Sequence, residues 1–226
     1  MLLLPPYALS MRKTLLPCLF VACSPGPSLA HPHIFIDTAF TLVIEDGMAT
    51  AVQIDWAYDA FYSMLMIEEY RLDADGDGLP EQTELDALAG HDVDWDAGFP
   101  GHFVLSLDNG AVSLGSAVHH QARFEDNRVI TSHVRPIETP FPITSHRVTA
   151  RAYDPTYFVA YDVPKPPAVT GANCTFEREE ADRKAAQAEY GEALDAIDRT
   201  EDPFEVIEVP DIGILFADRF TLRCDN

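Results

Sequence analysis

Asp73-Ala74-Asp75-Gly76-Asp77-Gly78-Leu79-Pro80-Glu81-Gln82-Thr83-Glu84 sets oxygen donors at the spacing of an EF-hand calcium loop. Asp73, Asp75 and Asp77 fall at the first three ligand positions, and Gly78 falls at the sharp turn after them. Leu79 stands where the backbone carbonyl is the ligand. Glu81 stands at the next ligand position, and Glu84 is the closing bidentate carboxylate. Ca²⁺ is a hard cation that takes roughly six to eight oxygens. A run that fills every ligand position therefore reads as a calcium site rather than as a solvated acidic turn.

His31 and His33 are the second candidates. Cleavage after Ala30 would give His31 both an imidazole and a free α-amine, a natural chelate for Cu²⁺, Ni²⁺, Co²⁺ or Zn²⁺. Pro32 has no amide proton to lose, which blocks a square-planar site built on deprotonated backbone amides. Side-chain coordination remains: His31 and His33 share one face of an extended strand and need a third ligand from elsewhere. The competing reading is a polar, frayed terminus.

The other histidines are His91, His102, His119, His120, His133 and His146. Neighbouring strand residues face opposite ways, so His119 and His120 are not expected in one site. A lone strand histidine reads first as a surface or hydrogen-bonded residue. Asp55 and Asp59 flank Trp56, Ala57 and Tyr58. They read as an exposed strand aspartate and a helix cap around a core tryptophan, ahead of an acid–base pair. No Gly-x-Ser-x-Gly, phosphate loop, dinucleotide fingerprint or catalytic Cys/His arrangement is present, so an enzyme is not the first reading.

Residues 1–30 read as an export signal. Met11-Arg12-Lys13 is a basic start, residues 14–23 are apolar, and Ser28-Leu29-Ala30 is a small-x-small cleavage site. A lipoprotein anchored at Cys23 is the second reading. No later run is long enough to span a bilayer as a helix. Residues 31–226 then form a single β-rich domain, with two cysteines left, Cys174 and Cys224. In an oxidising compartment such an even pair reads as a disulfide, with a two-thiolate metal site as the rival. The formal charge of −22 argues against nucleic acid and anionic lipid as partners and suits cations.

The elements that must position these residues follow from periodicity and turn signals. Residues 34–44 and 49–58 read as a hairpin around Asp46-Gly47. Asp59 caps a helix over 60–71 whose apolar stripe is Phe61, Met64, Leu65 and Leu72. The exit helix turns Leu85, Leu88 and Ala89 inward. This makes a single EF-hand helix-loop-helix inserted at about 59–90. Glu68 and Glu69 stand where an entering helix is usually apolar, and Pro80 lacks the N–H that pairs two such loops. Strands are expected over 102–107, 111–124, 129–134, 146–153 and 157–163, followed by a break over 164–171. A charged helix over 176–198, with Ala181, Ala185 and Ala188 as a thin stripe interrupted by Gly191, precedes closing strands within 212–224. The fold class is α+β, mostly β: an antiparallel sandwich-like domain with the inserted helix-loop-helix and a C-terminal charged helix.

His31-Pro32-His33-Ile34-Phe35-Ile36-Asp37, Asp55-Trp56-Ala57-Tyr58-Asp59-Ala60-Phe61-Tyr62-Ser63, the aspartate-rich loop, and Ile214-Leu215-Phe216-Ala217-Asp218 with Cys224 resemble the bacterial family called domain of unknown function 1007. The resemblance implies the periplasmic component of an uncharacterised ABC-type transport system, often encoded near nickel/cobalt-type permeases. The expected function is thus an exported, non-enzymatic metal-binding accessory protein with a structural calcium site and a membrane metal permease as partner. The alternatives are a copper enzyme using the N-terminal histidine as a brace, and a calcium-stabilised structural or adhesion module.

Overall fold

The computed structural model describes residues 32–144, 146–198 and 211–224. The expected signal segment and His31 lie outside the described residues.

Strands β1 (Ile34–Glu45) and β2 (Met48–Tyr58) form the expected hairpin. Asp46 and Gly47 both adopt positive φ, 49° and 77°, which matches the right-handed twist of the strands they join. β1 alternates cleanly, burying Ile36, Thr38, Phe40, Leu42 and Ile44 on one face. Val52, Ile54 and Trp56 of β2 are buried as the pattern predicts. Helices α1 (Ala60–Glu69) and α2 (Gln82–Leu88) flank the acidic loop. Then come β3 (Phe103–Leu107), the short β4 (Gly110–Ala111), β5 (Val118–Glu125), the long β6 (Arg128–Pro142), β7 (Val148–Ala152), β8 (Val159–Asp162), β9 (Ala168–Thr170) and β10 (Cys174–Glu179). Helix α3 (Arg183–Asp198), a 3₁₀ turn (Gly213–Phe216) and β11 (Arg219–Cys224) complete the chain.

The protein is mostly β, in two open and largely antiparallel sheets. One runs β5-β6-β2-β1-β8, with β9 also on β1; the other runs β10-β11-β7-β3-β4. β8 and β9 lie parallel to β1, against the antiparallel expectation. Phe40 of β1 joins the sheets: its ring centroid lies 5.0, 5.3 and 5.5 Å from those of Phe103, Phe176 and Phe220 on the second sheet. Edge-to-face contacts of this kind add about 0.5–1.5 kcal/mol beyond the area they bury.

Four expectations are corrected. First, the stripe on α1 faces outward: Phe61, Met64 and Leu65 are exposed, while Ser63 and Met66 are buried. Ser63 decides the orientation, because its hydroxyl donates to the Tyr58 carbonyl and accepts from the Val129 amide, satisfying two core backbone groups at once. Second, residues 111–124 are not one strand; β4 ends at Ala111 and β5 begins at Val118. Third, residues 168–170 add a strand inside the expected break. Fourth, Phe176 to Glu179 is strand, not helix. Cys174 and Cys224 face each other in the β10–β11 register and form a disulfide. That bond and the pairs Glu177–Arg223 and Glu179–Arg219 hold this charged segment extended. Helix α3 begins only at Arg183 and runs through Gly191. It buries Ala186 and Leu194 against Ile212 and Phe216, leaving Ala185 and Ala188 exposed.

Candidate functional site

The acidic loop is pinned at both ends. Leu72 before it and Leu85 and Leu88 after it are each 2% exposed. Asp59 caps α1 by accepting from the Tyr62 amide at 2.9 Å, and the Gln82 side chain donates to the Ala122 carbonyl on β5 at 3.1 Å. Arg71, at φ 54°, stops the first helix short of the loop, so residues 70–72 intervene between α1 and Asp73.

Within the loop, one carboxylate oxygen from each of Asp73, Asp75 and Asp77 lies within 4.8 Å of the others. Two oxygens on one Ca²⁺, each at about 2.3–2.6 Å, stand no more than about 5 Å apart, so this spacing fits a common ion. The loop backbone holds the carboxylates in place. Asp73 accepts from the Gly76 and Gly78 amides, Asp75 from Asp77, and Asp77 from Leu79. Glu84 folds back onto the loop, accepting from the Ala74 amide at 3.2 Å through one oxygen and from the Glu81 amide at 3.4 Å through the other. A hydrogen bond to the Glu84 carboxyl, followed by burial and by the charges of Glu84 and Asp75, pushes Glu81 up to about 7. One Glu81 oxygen is buried with no hydrogen-bond partner. Crowded carboxylates with an orphaned oxygen fit the donor set of a hard cation, which would restore the ionised form.

His33 is exposed at the head of β1. Its amide donates to the Phe158 carbonyl at 2.9 Å, and its ring lies 4.7 Å from the Phe158 ring. The proposed companion of this residue, His31, lies outside the described residues.

A second constellation was not foreseen. Residues 90–99 leave α2 and cross the first sheet, enclosing a cleft of about 810 Å³ lined by Tyr70, His91, Trp95, Phe99, His120 and Arg135 among others. The segment is tied down by Asp92, which accepts from Tyr58 and Thr131 hydroxyls at 2.9 and 2.6 Å. Tyr70 at the end of α1 donates to the His91 carbonyl. Trp95 stacks parallel to Trp56 at 6.1 Å, with the Arg135 guanidinium 5.6 Å from its centre. Arg135 itself is spent on the carbonyls of Pro100, Leu114 and Gly115. His133, 2% exposed, lies 5.0 Å from Trp95 and 6.3 Å from His120. Burial, then the charges of Arg135 and His120, push His133 down to about 3.

The signal for this cluster was a strand irregularity. β5 shifts register against β6 between Val118 and Gln121, and His119 takes φ 56°. A bulge re-aims the side chain that follows it. His119 is exposed, and His120 turns toward His133. Elsewhere His102 bonds Tyr161 at 3.0 Å and approaches Asp154 at 3.7 Å, and His146 bonds Asp108. Trp56 is core and Asp59 a helix cap, as expected.

No helix among the described residues is long and apolar enough to cross a membrane. An uncharacterised protein of Haemophilus influenzae is 23% identical over 208 residues, covering 87% of this chain and 92% of its own length. The family model described as protein of unknown function DUF1007 matches residues 16–224. The chain belongs to that family.

Proposed function

We propose that this protein is an exported metal-binding accessory component of a transition-metal transport system, carrying one structural calcium site. The observation that carries the reading is the convergence of Asp73, Asp75 and Asp77 under a folded-back Glu84. In this reading α1, the loop and α2 form a single EF-hand, with the Leu79 carbonyl and Glu81 completing the ligands. The two sheets form a sandwich-like pair joined at Phe40. A single loop that carries Pro80 and is entered through Glu68 and Glu69 argues for a clamp rather than for a paired sensor that opens a groove. The transport role draws on the family's association with nickel/cobalt-type permeases, and the cargo is Zn²⁺, Ni²⁺, Co²⁺ or Cu²⁺. His31 and His33 are the proposed N-terminal ligands, in a periplasmic chain cleaved after Ala30.

The test begins with export. The full gene is expressed in a Gram-negative host, the periplasmic product is recovered, and its first residue is read by mass spectrometry. The product is then titrated with Ca²⁺ and separately with Zn²⁺, Ni²⁺, Co²⁺ and Cu²⁺ by calorimetry. The reading expects a product beginning at His31, one calcium lost on Asp73→Ala, and one transition metal per chain. A chain that stays in the cytoplasm, or one that binds no transition metal, overturns it.

A further inference from the structure

Helix α1 has two apolar faces. The inner one packs Ser63 and Met66 on the core. The outer one presents Phe61, Met64 and Leu65, which are 66, 53 and 39% exposed. Residues spaced i, i+3 and i+4 adjoin on a helix surface, so the three side chains form one stripe. Phe61 is the most exposed large hydrophobic residue among the described residues. Phe35, 54% exposed, is fixed at the head of the same helix. Its amide donates to the Asp59 carboxylate that caps α1, and its carbonyl accepts from the Asp59 amide. Single exposed hydrophobics are ordinary, whereas a continuous stripe marks an interaction surface.

Charge and size identify the occupant. The next position of the stripe, seven residues after Phe61, is Glu68, with Glu69 beside it, and both are exposed. α1 holds no basic residue in its last turn. The first basic side chain after it is Arg71. Two carboxylates at the C-terminal end of a helix meet the negative end of its dipole, and a cation brought beside them relieves that repulsion. The field toward the inner side of α1 is negative as well. Burial, followed by the charges of Glu69, Asp92 and Asp59, pushes the Tyr62 hydroxyl up. Size excludes a stable dimer. Four side chains, none more than 66% exposed, fall short of the roughly 800 Å² that each partner of a stable complex buries. A second copy would also set a chain of formal charge −22 against its like, and anionic lipid meets the same opposition. A short segment of opposite charge fits where a whole subunit does not.

We propose that the outer face of α1 docks an amphipathic helical segment of a partner protein, apolar where it lies on Phe61, Met64 and Leu65 and bearing Lys or Arg where it meets Glu68 and Glu69. A stripe at helical spacing is matched by the side-chain ridges of a second helix. The docking needs no metal on this chain, so its failure leaves the proposed function standing.

The test uses the full gene product and a fluorescein-labelled peptide of leucine and lysine, spaced to put leucine on one helical face. The control peptide carries glutamate in place of lysine. Anisotropy titrations at low and high NaCl compare the unaltered protein with Phe61→Gln/Met64→Gln, Glu68→Gln/Glu69→Gln and, for an equal loss of charge on exposed positions of α3, Glu189→Gln/Glu192→Gln. The lysine peptide should bind and the glutamate peptide should not. Each α1 variant should lose at least about tenfold in affinity, the effect of removing a central contact. Glu68→Gln/Glu69→Gln should also flatten the salt dependence, and the α3 variant should change neither. Equal binding by all four proteins would reveal attraction to net charge alone and overturn the site. Melting temperatures should match, since the substituted side chains are exposed; a fall in Phe61→Gln/Met64→Gln would mean that this chain already covers the face, which also overturns it. A dimer seen by light scattering, or sedimentation with phosphatidylcholine vesicles, that disappears in Phe61→Gln/Met64→Gln would assign the face to a second copy or to a membrane instead.

Discussion

Gly90 lies against the imidazole of His120: a methyl group built at position 90 would sit 2.8 Å from the ring's Cγ. Gly90 also holds φ +83°, which a residue with a side chain adopts only with strain. Gly90→Ala should therefore destabilise the protein by about 1–3 kcal/mol and displace His120 from its position beside His133. Urea unfolding measures the first effect. The second appears as a change in the fluorescence of Trp95, whose ring lies 6.0 Å from that of His120, which an equally destabilising substitution on α3 should not produce.

Calcium should raise the melting temperature. At a free concentration of about 100 times Kd, binding contributes about 2.7 kcal/mol, or roughly 5–10 °C for a chain of this size. Asp75→Asn should remove most of that shift and leave the melt in chelator unchanged or slightly higher, because it relieves repulsion among Asp73, Asp75 and Asp77. Scanning calorimetry with and without CaCl₂ reads both. An identical calcium shift in Asp75→Asn would show that the loop is not the binding site.

The Cys174–Cys224 disulfide closes a loop with a sequence separation of 50 residues. In the chain-entropy model this contributes about 4 kcal/mol. Reduction, or the Cys174→Ser/Cys224→Ser pair, should lower the urea midpoint by a corresponding amount. Fraying should begin in β10, whose Glu177 and Glu179 then rely on exposed ion pairs alone. Hydrogen exchange on the β10–β11 ladder locates the change.

His102 gives the fold an acid sensitivity. Burial lowers its pKa below the usual histidine value, outweighing the opposing charge of Asp154. The unfolded ring takes up its proton at about pH 6.5, and the folded ring only at lower pH. Its contribution is therefore intact above about pH 6.5 and is lost as pH falls toward and through the folded value. Denaturation in chelator from pH 8 to pH 4 should show stability falling below pH 6.5, with a shallower fall in His102→Gln. Parallel curves for the two proteins would remove His102 as a cause; His133, shifted in the same direction, accounts for sensitivity that remains.

The convergence of Asp73, Asp75 and Asp77 was readable because their spacing is a local property: they and Glu84 lie within twelve residues, and the fold of the loop follows from the order of carboxylates and glycines. The β1–β2 hairpin was readable for the same reason. The histidine cleft was not, because alternation of side chains assumes a regular strand. The bulge at His119 breaks that assumption and carries His120 to a partner on β6. The outward turn of Phe61 and Met64 was hidden too, since Ser63 wins the inner face through hydrogen bonds to Tyr58 and Val129 that only the fold brings near. Charged β10 reads as helix in composition and becomes strand through its register with β11.

β1 is flanked by strands from the far end of the chain. Ile34 pairs with Val159, and Thr41 pairs with Ala168. No N-terminal portion of the polypeptide shorter than about three-quarters of its length contains every strand that flanks β1. Contacts so distant in sequence make folding slow compared with domains built from local contacts. The topology that buries Phe40 and Leu42 therefore leaves β1 without one of its sheet neighbours until residues 159–170 have joined it.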